Sequence, residues 1–365
     1  MSRIAFSFVV LLVGLTSCHI PSRVTLGGEG GRTSYNTALQ VTNNQQMLLN
    51  LVRLRYLDIP FFLDVANITT QFTYRSSATP TFPIPGFDKD NPFTLGGELF
   101  WQNQPTLQFV PLEGQAFARQ ILNSIDLHTI QQLIYSGWDV DRVFRVVIQN
   151  FDDLPNAPEA SGPLPELVPK HRQFLEAAHL LRYFQMRGSL QVGVRVEKKK
   201  KNDEKVYTMQ IAFPDDGAEA EKLAKLLSGA RTINGNFVLN MELGFNLRGR
   251  IGVMPRSILS CMYYLSESVE LPKEDVDKGI VAVTRDPEGE LFDWKQVLDE
   301  LMHIRNSRYE PKDAYVKVKY RNYWFYIDNT DLESKKTFVL LLQLYNLQAG
   351  QASQSPPPVL TLPLG

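Results

Sequence analysis

The stretch from Tyr315 to Ile327 limits the local fold more than any other part of the chain. Lysines alternate with Val316 and Val318 up to Tyr320, Arg321-Asn322 makes a two-residue turn, and Tyr323 to Ile327 returns. Period-two side chains on both arms of so short a connection predict an antiparallel hairpin, with Asn322 taking the positive φ the turn needs. The period then changes. Thr330-Asp-Leu-Glu333 reads as a capping box, and Phe338, Leu341, Leu342 and Tyr345 follow as one helical face. A hairpin and a helix, each apolar on one side, must cover one another or a shared third layer.

The same order, helix then two strands then helix, recurs. Lys170 to Arg187 predicts a helix, Leu190–Val196 and Val206–Phe213 predict strands, and Ala218–Leu227 predicts the closing helix. In the last third, Trp294–Ile304 is the expected opening helix. An earlier instance runs over 43–136: a helix from Asn43 to Tyr56, a strand from Phe61 to Tyr74, two short strands broken at Gln104-Pro105, and two helices ending at Gly137. Asp141–Phe151 is rich in Val, Phe and Ile and is expected as strand; Phe237–Leu243 is another. The fold class is therefore α+β, with antiparallel sheets and hairpins packed against helices in recurrent helix–hairpin–helix units. The sequences of these units do not match one another, so the recurrence is one of elements. Nothing follows the strand–helix–strand rhythm of a parallel nucleotide-binding fold.

Residues 156–169 carry four prolines and a glycine and are expected to link an N-terminal α+β region (36–155) to a C-terminal one (170–350). A Pro-rich tail (351–365) follows. The chain carries 38 Lys and Arg against 39 Asp and Glu, so no basic excess draws it to nucleic acid. Lys198-Lys-Lys-Lys-Asn-Asp-Glu-Lys205 is a local exception. It reads either as a contact for anionic lipid or as a solvated hairpin loop diluted by acids, and the loop reading is preferred.

The N-terminus carries an address. Arg3 precedes an apolar run from Ile4 to Gly14, and Leu15-Thr16-Ser17-Cys18 closes it. The run is shorter than the roughly 20 residues a membrane-spanning helix needs. A cation, a short apolar core and small residues at the exit are the parts of a secretory signal. The segment resembles the signal peptide and lipobox of bacterial lipoproteins, with 1–17 removed. The resemblance implies lipid on Cys18, which would anchor the chain stably in a membrane. His19, rather than an acid, follows Cys18, which in that family leans toward the outer membrane, periplasmic side. Residues 18–35, including Gly27-Gly-Glu-Gly-Gly31, then form a flexible tether. Cys261 is the one other cysteine, so no internal disulfide is expected. Its neighbours Ile258, Met262 and Leu265 place it on an apolar helical face, as a core residue and not a nucleophile.

Motifs for chemistry are sparse. There is no G-x-S-x-G elbow, H-E-x-x-H pair or phosphate loop. His171 and His179 lie eight residues apart, and no segment gathers the three or four ligands a zinc ion needs, so neither metal nor cofactor is expected. Ser334-Lys335 are adjacent and point apart on a helix. Arg53 and Arg55, flanked by apolar residues, pair with a buried acid such as Asp64 or extend to solvent. The most distinctive surface chemistry is aromatic: Tyr320, Tyr323, Trp324 and Tyr326 form the candidate binding surface, for a glycan or an envelope protein. Alternation puts Tyr323 with Phe325 and Ile327 on one side and Trp324 with Tyr326 on the other. One side must be core; the other is either exposed or covered by a further layer.

Three stretches together resemble a family of uncharacterised bacterial proteins, many of them predicted lipoproteins: Gln45-Gln-Met-Leu-Leu-Asn-Leu-Val-Arg-Leu-Arg-Tyr56, Ser136-Gly-Trp138, and Tyr323-Trp-Phe-Tyr-Ile327 with Ser334-Lys335 and Leu347-Gln-Ala-Gly350. The resemblance implies one architecture over most of the chain and transfers no activity. The expectation is a membrane-anchored lipoprotein with a periplasmic binding or assembly module and no evident catalysis. An envelope hydrolase acting on peptidoglycan, glycan or lipid, and a small-ligand carrier, are the alternatives. The first would require a polar cleft with a base and a nucleophile, the second a large apolar cavity.

Overall fold

A computed structural model describes residues 31–80, 95–163, 167–198, 205–228, 230–245 and 247–349. Cys18, the expected signal, most of the tether, residues 81–94, most of the lysine run (199–204) and the C-terminal tail lie outside them. The described residues form an α+β fold of ten α-helices with antiparallel and mixed sheets. The described residues fall into two compact units, one of residues within 31–43, 63–80 and 95–110, the other within 44–62 and 111–349.

In the first unit, β1 (Leu63–Pro80) and β2 (Leu95–Pro111) pair as a two-stranded sheet. β2 is continuous where a break at Gln104-Pro105 was expected. In a two-stranded sheet each strand is an edge, where the missing N–H of a proline is tolerated. Helix α1 (Arg32–Arg55) begins well before Asn43. Its early residues are mostly exposed and carry no apolar period to read, whereas Met47, Leu48, Leu51, Val52 and Leu54 are buried as expected.

The second unit holds residues 44–55 of α1, then α2 (Gly114–Leu122), α3 (Leu127–Tyr135), α4 (Val140–Val147), β3 (Ile148–Phe151), β4 (Leu154–Pro155), α5 (Arg172–Met186), β5 (Gln191–Lys198), β6 (Lys205–Pro214), α6 (Ala218–Leu226), β7 (Arg231–Ile233), β8 (Asn236–Leu243), β9 (Ile251–Pro255) and α7 (Ile258–Ser266). The sheet order is β4-β3-β9-β8-β6-β5, with β7 also on β8; every pair is antiparallel except β8–β9. Alternation sets the core face: Met209, Ile211 and Phe213 on β6 and Leu239 and Met241 on β8 are fully buried. Helix α5 joins this face through two stacked ring pairs, Phe174 on Phe151 and Phe184 on Phe213. After α7 come α8 (Lys273–Asp277), the single turn α9 (Lys295–Leu298), the sheet β10 (Arg305–Ser307)–β12 (Tyr323–Asp328)–β11 (Ala314–Tyr320), and α10 (Leu332–Ala349).

Four local expectations change. Residues 140–147 are helix and only 148–151 strand; Val140, Val143, Phe144 and Val147 form one helical face at i, i+3, i+4 and i+7, a spacing that the strand-favouring Val, Phe and Ile content conceals. Residues 156–169 do not separate compact bodies, since both flanks belong to one unit. Asn156 and Ala157 are buried, and Asn156 Nδ2 donates to the carbonyls of Arg145 and Ile148. The expected helix at 294–304 stops after one turn, where Glu300 takes φ +62°. In the β11–β12 turn it is Arg321, not Asn322, that sits at positive φ (+50°); its guanidinium lies 4.7 Å from the Tyr56 ring centre, which holds it there.

Candidate functional site

The chain leaving α7 passes through Glu267 to Leu271 beside the strand-like segment 302–306. Ile304 N donates to Ser268 O at 3.0 Å, and Glu270 N donates to Ile304 O at 2.8 Å. This short parallel pairing is the back wall of a cleft of about 650 Å³. A second wall is the loop that closes on itself where Phe292 N donates to Thr284 O at 2.9 Å. Phe292 and Trp294 meet edge to face at 5.3 Å on this side. Leu298, Leu301 and Met302 add apolar surface, and the first turn of α10 supplies Asp331, Glu333 and Ser334.

Arg55, at the end of α1, and Glu267 complete the lining. Both are buried, and Arg55 Nη1 lies 3.0 Å from Glu267 Oε2. The aligned hydrogen bond of that nitrogen goes elsewhere, to Ala282 O at 2.9 Å. Among the described residues Glu267 Oε2, Arg55 Nε and Trp294 Nε1 have no hydrogen-bond partner. Burial pushes the Glu267 carboxyl up to about 7, against the pull of Arg55. Burial also lowers the His303 imidazole, against Glu270, whose carboxylate is 3.9 Å from Nε2. Seven carboxylates line the cleft against Arg55, Lys295 and His303.

Both cleft serines are committed: Ser268 Oγ donates to Leu265 O at 2.7 Å. Ser334 Oγ donates to Asp331 Oδ2 at 2.6 Å and accepts from the backbone N–H of His303 at 2.8 Å. Asp331 Oδ1 also accepts from Ser334 N, so this pair is the cap of α10. The cap falls one residue after the expected Thr330; Thr330 Oγ1 instead donates to Asp328. Among the described residues no three of His, Cys, Asp and Glu are placed to hold a metal ion.

The aromatic residues singled out above are divided by the sheet. Tyr323, Phe325 and Ile327 point into the core, while Trp324 and Tyr326 are half-buried on the other face. Tyr323 therefore leaves the expected binding surface, and its hydroxyl donates to Glu274 at 3.0 Å. Tyr320 donates to Asp58 and packs edge-on to Tyr56 at 5.3 Å. Register sets Trp324 between Ser307 and Lys319, and Tyr326 between Arg305 and Lys317. The buried acid expected for the arginines of α1 is Glu267, on Arg55; Arg53 instead donates to Asn50 Oδ1. His171 is buried beside Pro169 O, and His179 is exposed, 3.7 Å from Glu300. Cys261 is fully buried, and burial pushes its thiol up to about 12, as suits a core residue.

Sequence reasoning passed over Glu267 and Trp294. The only available signal was Arg55, a cation in an apolar stretch that demanded a buried partner. Among the described residues no helix is long and apolar enough to cross a membrane. No protein-family model, curated protein or solved structure matches the chain.

Proposed function

We propose that this chain is a lipid-anchored protein of the bacterial envelope, held on the periplasmic side of the outer membrane through Cys18, with its larger compact unit serving as a binding module. The observation that carries the binding reading is the cleft between Glu267–Leu271, Phe292–Trp294 and α10. It has the size and the mostly apolar walls of a small-molecule site. It also holds a few buried polar groups whose hydrogen bonds are incomplete. A small-ligand role is favoured over docking on the aromatic sheet face, because two of the four aromatic residues there use their hydroxyls within the chain.

Anchoring and binding are tested separately. A Cys18→Ala chain should lose membrane partitioning in cell fractionation, and its retention in the membrane would remove the anchor from the reading. Native mass spectrometry of protein drawn from envelope extract should find a small adduct that Leu301→Trp, which fills the cleft, eliminates. A second reading, an envelope hydrolase, draws on one observation: a buried carboxyl near 7 in a cleft is suited to general acid–base work. It predicts turnover of a peptidoglycan, glycan or lipid substrate that Glu267→Gln abolishes while binding persists.

A further inference from the structure

We infer that the cleft takes an organic cation with an apolar body, its ammonium or guanidinium head held by Glu267 and Glu270 beside the Phe292–Trp294 ring pair. The inference rests on the binding reading above and names its ligand class. Three separate observations point the same way.

The first is a buried acceptor. Glu267 is nine-tenths buried in the cleft lining, and its Oε2 lacks a hydrogen-bond donor among the described residues. Arg55 neutralises part of its charge from 3.0 Å but directs its aligned N–H to Ala282 O. A buried carboxylate without a directed donor is costly; Oε2 itself is closed to the cleft, so Glu267 acts on an entering cation through its charge and Glu270 at the rim supplies the accessible acceptor.

The second is the field. Carboxylates outnumber cations in the lining by more than two to one. Some are engaged within the protein: Asp331 caps α10, and Glu333 pairs with Arg142 and Lys336. Glu270 is exposed at the mouth, and its nearest titratable neighbour, His303, is biased toward its neutral form. An anionic ligand would meet repulsion along this rim, and a cation would be drawn in.

The third is the aromatic pair. Phe292 and Trp294 line the cleft with their rings at 86° to one another, and a cation seated over the face of either ring would be attracted to it. Leu298, Leu301 and Met302 offer the apolar body a dry wall.

Three probes of one shape separate charge from shape: 2-phenylethylamine, 2-phenylethanol and 3-phenylpropionate. Each is titrated calorimetrically into the purified full chain, with the methyl resonance of Met302 as a reporter of position. The amine should bind at least about tenfold tighter than either partner, a preference of the size expected for a partly desolvated charge. It should shift the Met302 signal and release protons to the buffer. Glu270→Gln, on the exposed rim, and Glu267→Gln, at the buried acid, should each weaken the amine several-fold and leave the alcohol unchanged. If the alcohol or the carboxylate shifts Met302 as effectively as the amine, the cation inference fails while the binding reading stands. If none of the three moves Met302, both fail.

Discussion

Arg256 shows how one side chain organises the unit that carries the cleft. It is 1 % exposed, and burial lowers its pKa. Among the described residues its guanidinium hydrogen-bonds no carboxylate: Nη1 donates to the carbonyls of Arg145, Val146 and Ile148, Nη2 to those of Asn156 and Ala157, and Nε to Ser161 Oγ. The plane sits 4.0 Å from the Tyr264 ring centre. The cation thus closes the C-terminal end of α4, where the helix dipole is negative, and ties it to the Pro-rich segment and to α7. Arg256→Met should lower the urea midpoint by the equivalent of about 4 kcal/mol, since several buried carbonyls lose their donors at once. Arg256→Lys should recover only part of that, because an ammonium has three donors and no fork. Gly252 is the second position with no alternative. A Cβ there would lie 2.3 Å from Asp152 Oδ1 and 2.5 Å from Gly244 O. Gly252→Ala should therefore break the paired bonds between Asp152 and Gly252 and lower the midpoint by about 2–4 kcal/mol; an unchanged midpoint would show that the backbone yields.

Among elements, α10 shows how closely local grammar can be read and where it slips. The helix and its apolar residues Phe338 and Leu341 are where the period puts them. The cap is displaced because Asp331 finds a partner at Ser334, and Ser334 in turn is needed to hold His303 N at the cleft. Asp331→Ala should then cost about 1 kcal/mol or somewhat more in thermal unfolding, and Thr330→Ala much less; the reverse order would restore the expected box. Helix α4 marks the opposite limit. Arg142 and Arg145 look like solvent residues in a strand, but Arg142 bonds Thr337 Oγ1 and Glu333, and Arg145 bonds the carbonyls of Val297 and Asp299. Hairpins and amphipathic helices were legible because their signal lies within a dozen residues. Helix α4 has its signal too, in Val140, Val143, Phe144 and Val147, but its β-branched content favours strand; the partners of Arg142 and Arg145, and a site assembled from Arg55, Glu267 and Trp294, are what local spacing does not encode.

For the whole molecule, the cleft leaves a mark on stability as a function of pH. The Glu267 carboxyl titrates near 7 in the folded chain and near 4.3 when unfolded. Between these values the folded state holds a proton that the unfolded state has released. The linkage sign follows: the contribution of Glu267 is fully present below the unfolded pKa, declines as pH rises toward 7, and is flat above it. The span corresponds to about 4 kcal/mol. His303 acts in the opposite sense over part of this range, because its lowered pKa makes the folded state bind fewer protons. Asp328 and Glu333, held below the usual carboxylate range chiefly by hydrogen bonds from Thr330 and Lys336, act only at lower pH. A difference measurement removes these terms. Urea unfolding of the wild type and of Glu267→Gln, repeated from pH 5 to pH 8, should show the wild type losing stability relative to the variant as pH rises. The difference should level off above about 7.5. Near neutral pH the cleft is thus expected to hold Glu267 partly protonated, and an entering cation would favour the charged form. The same ligand that binds at Glu267 should therefore narrow the pH window, restoring at pH 8 part of the stability that the empty cleft loses. Parallel wild-type and variant curves across that range would mean that Glu267 is ionised throughout.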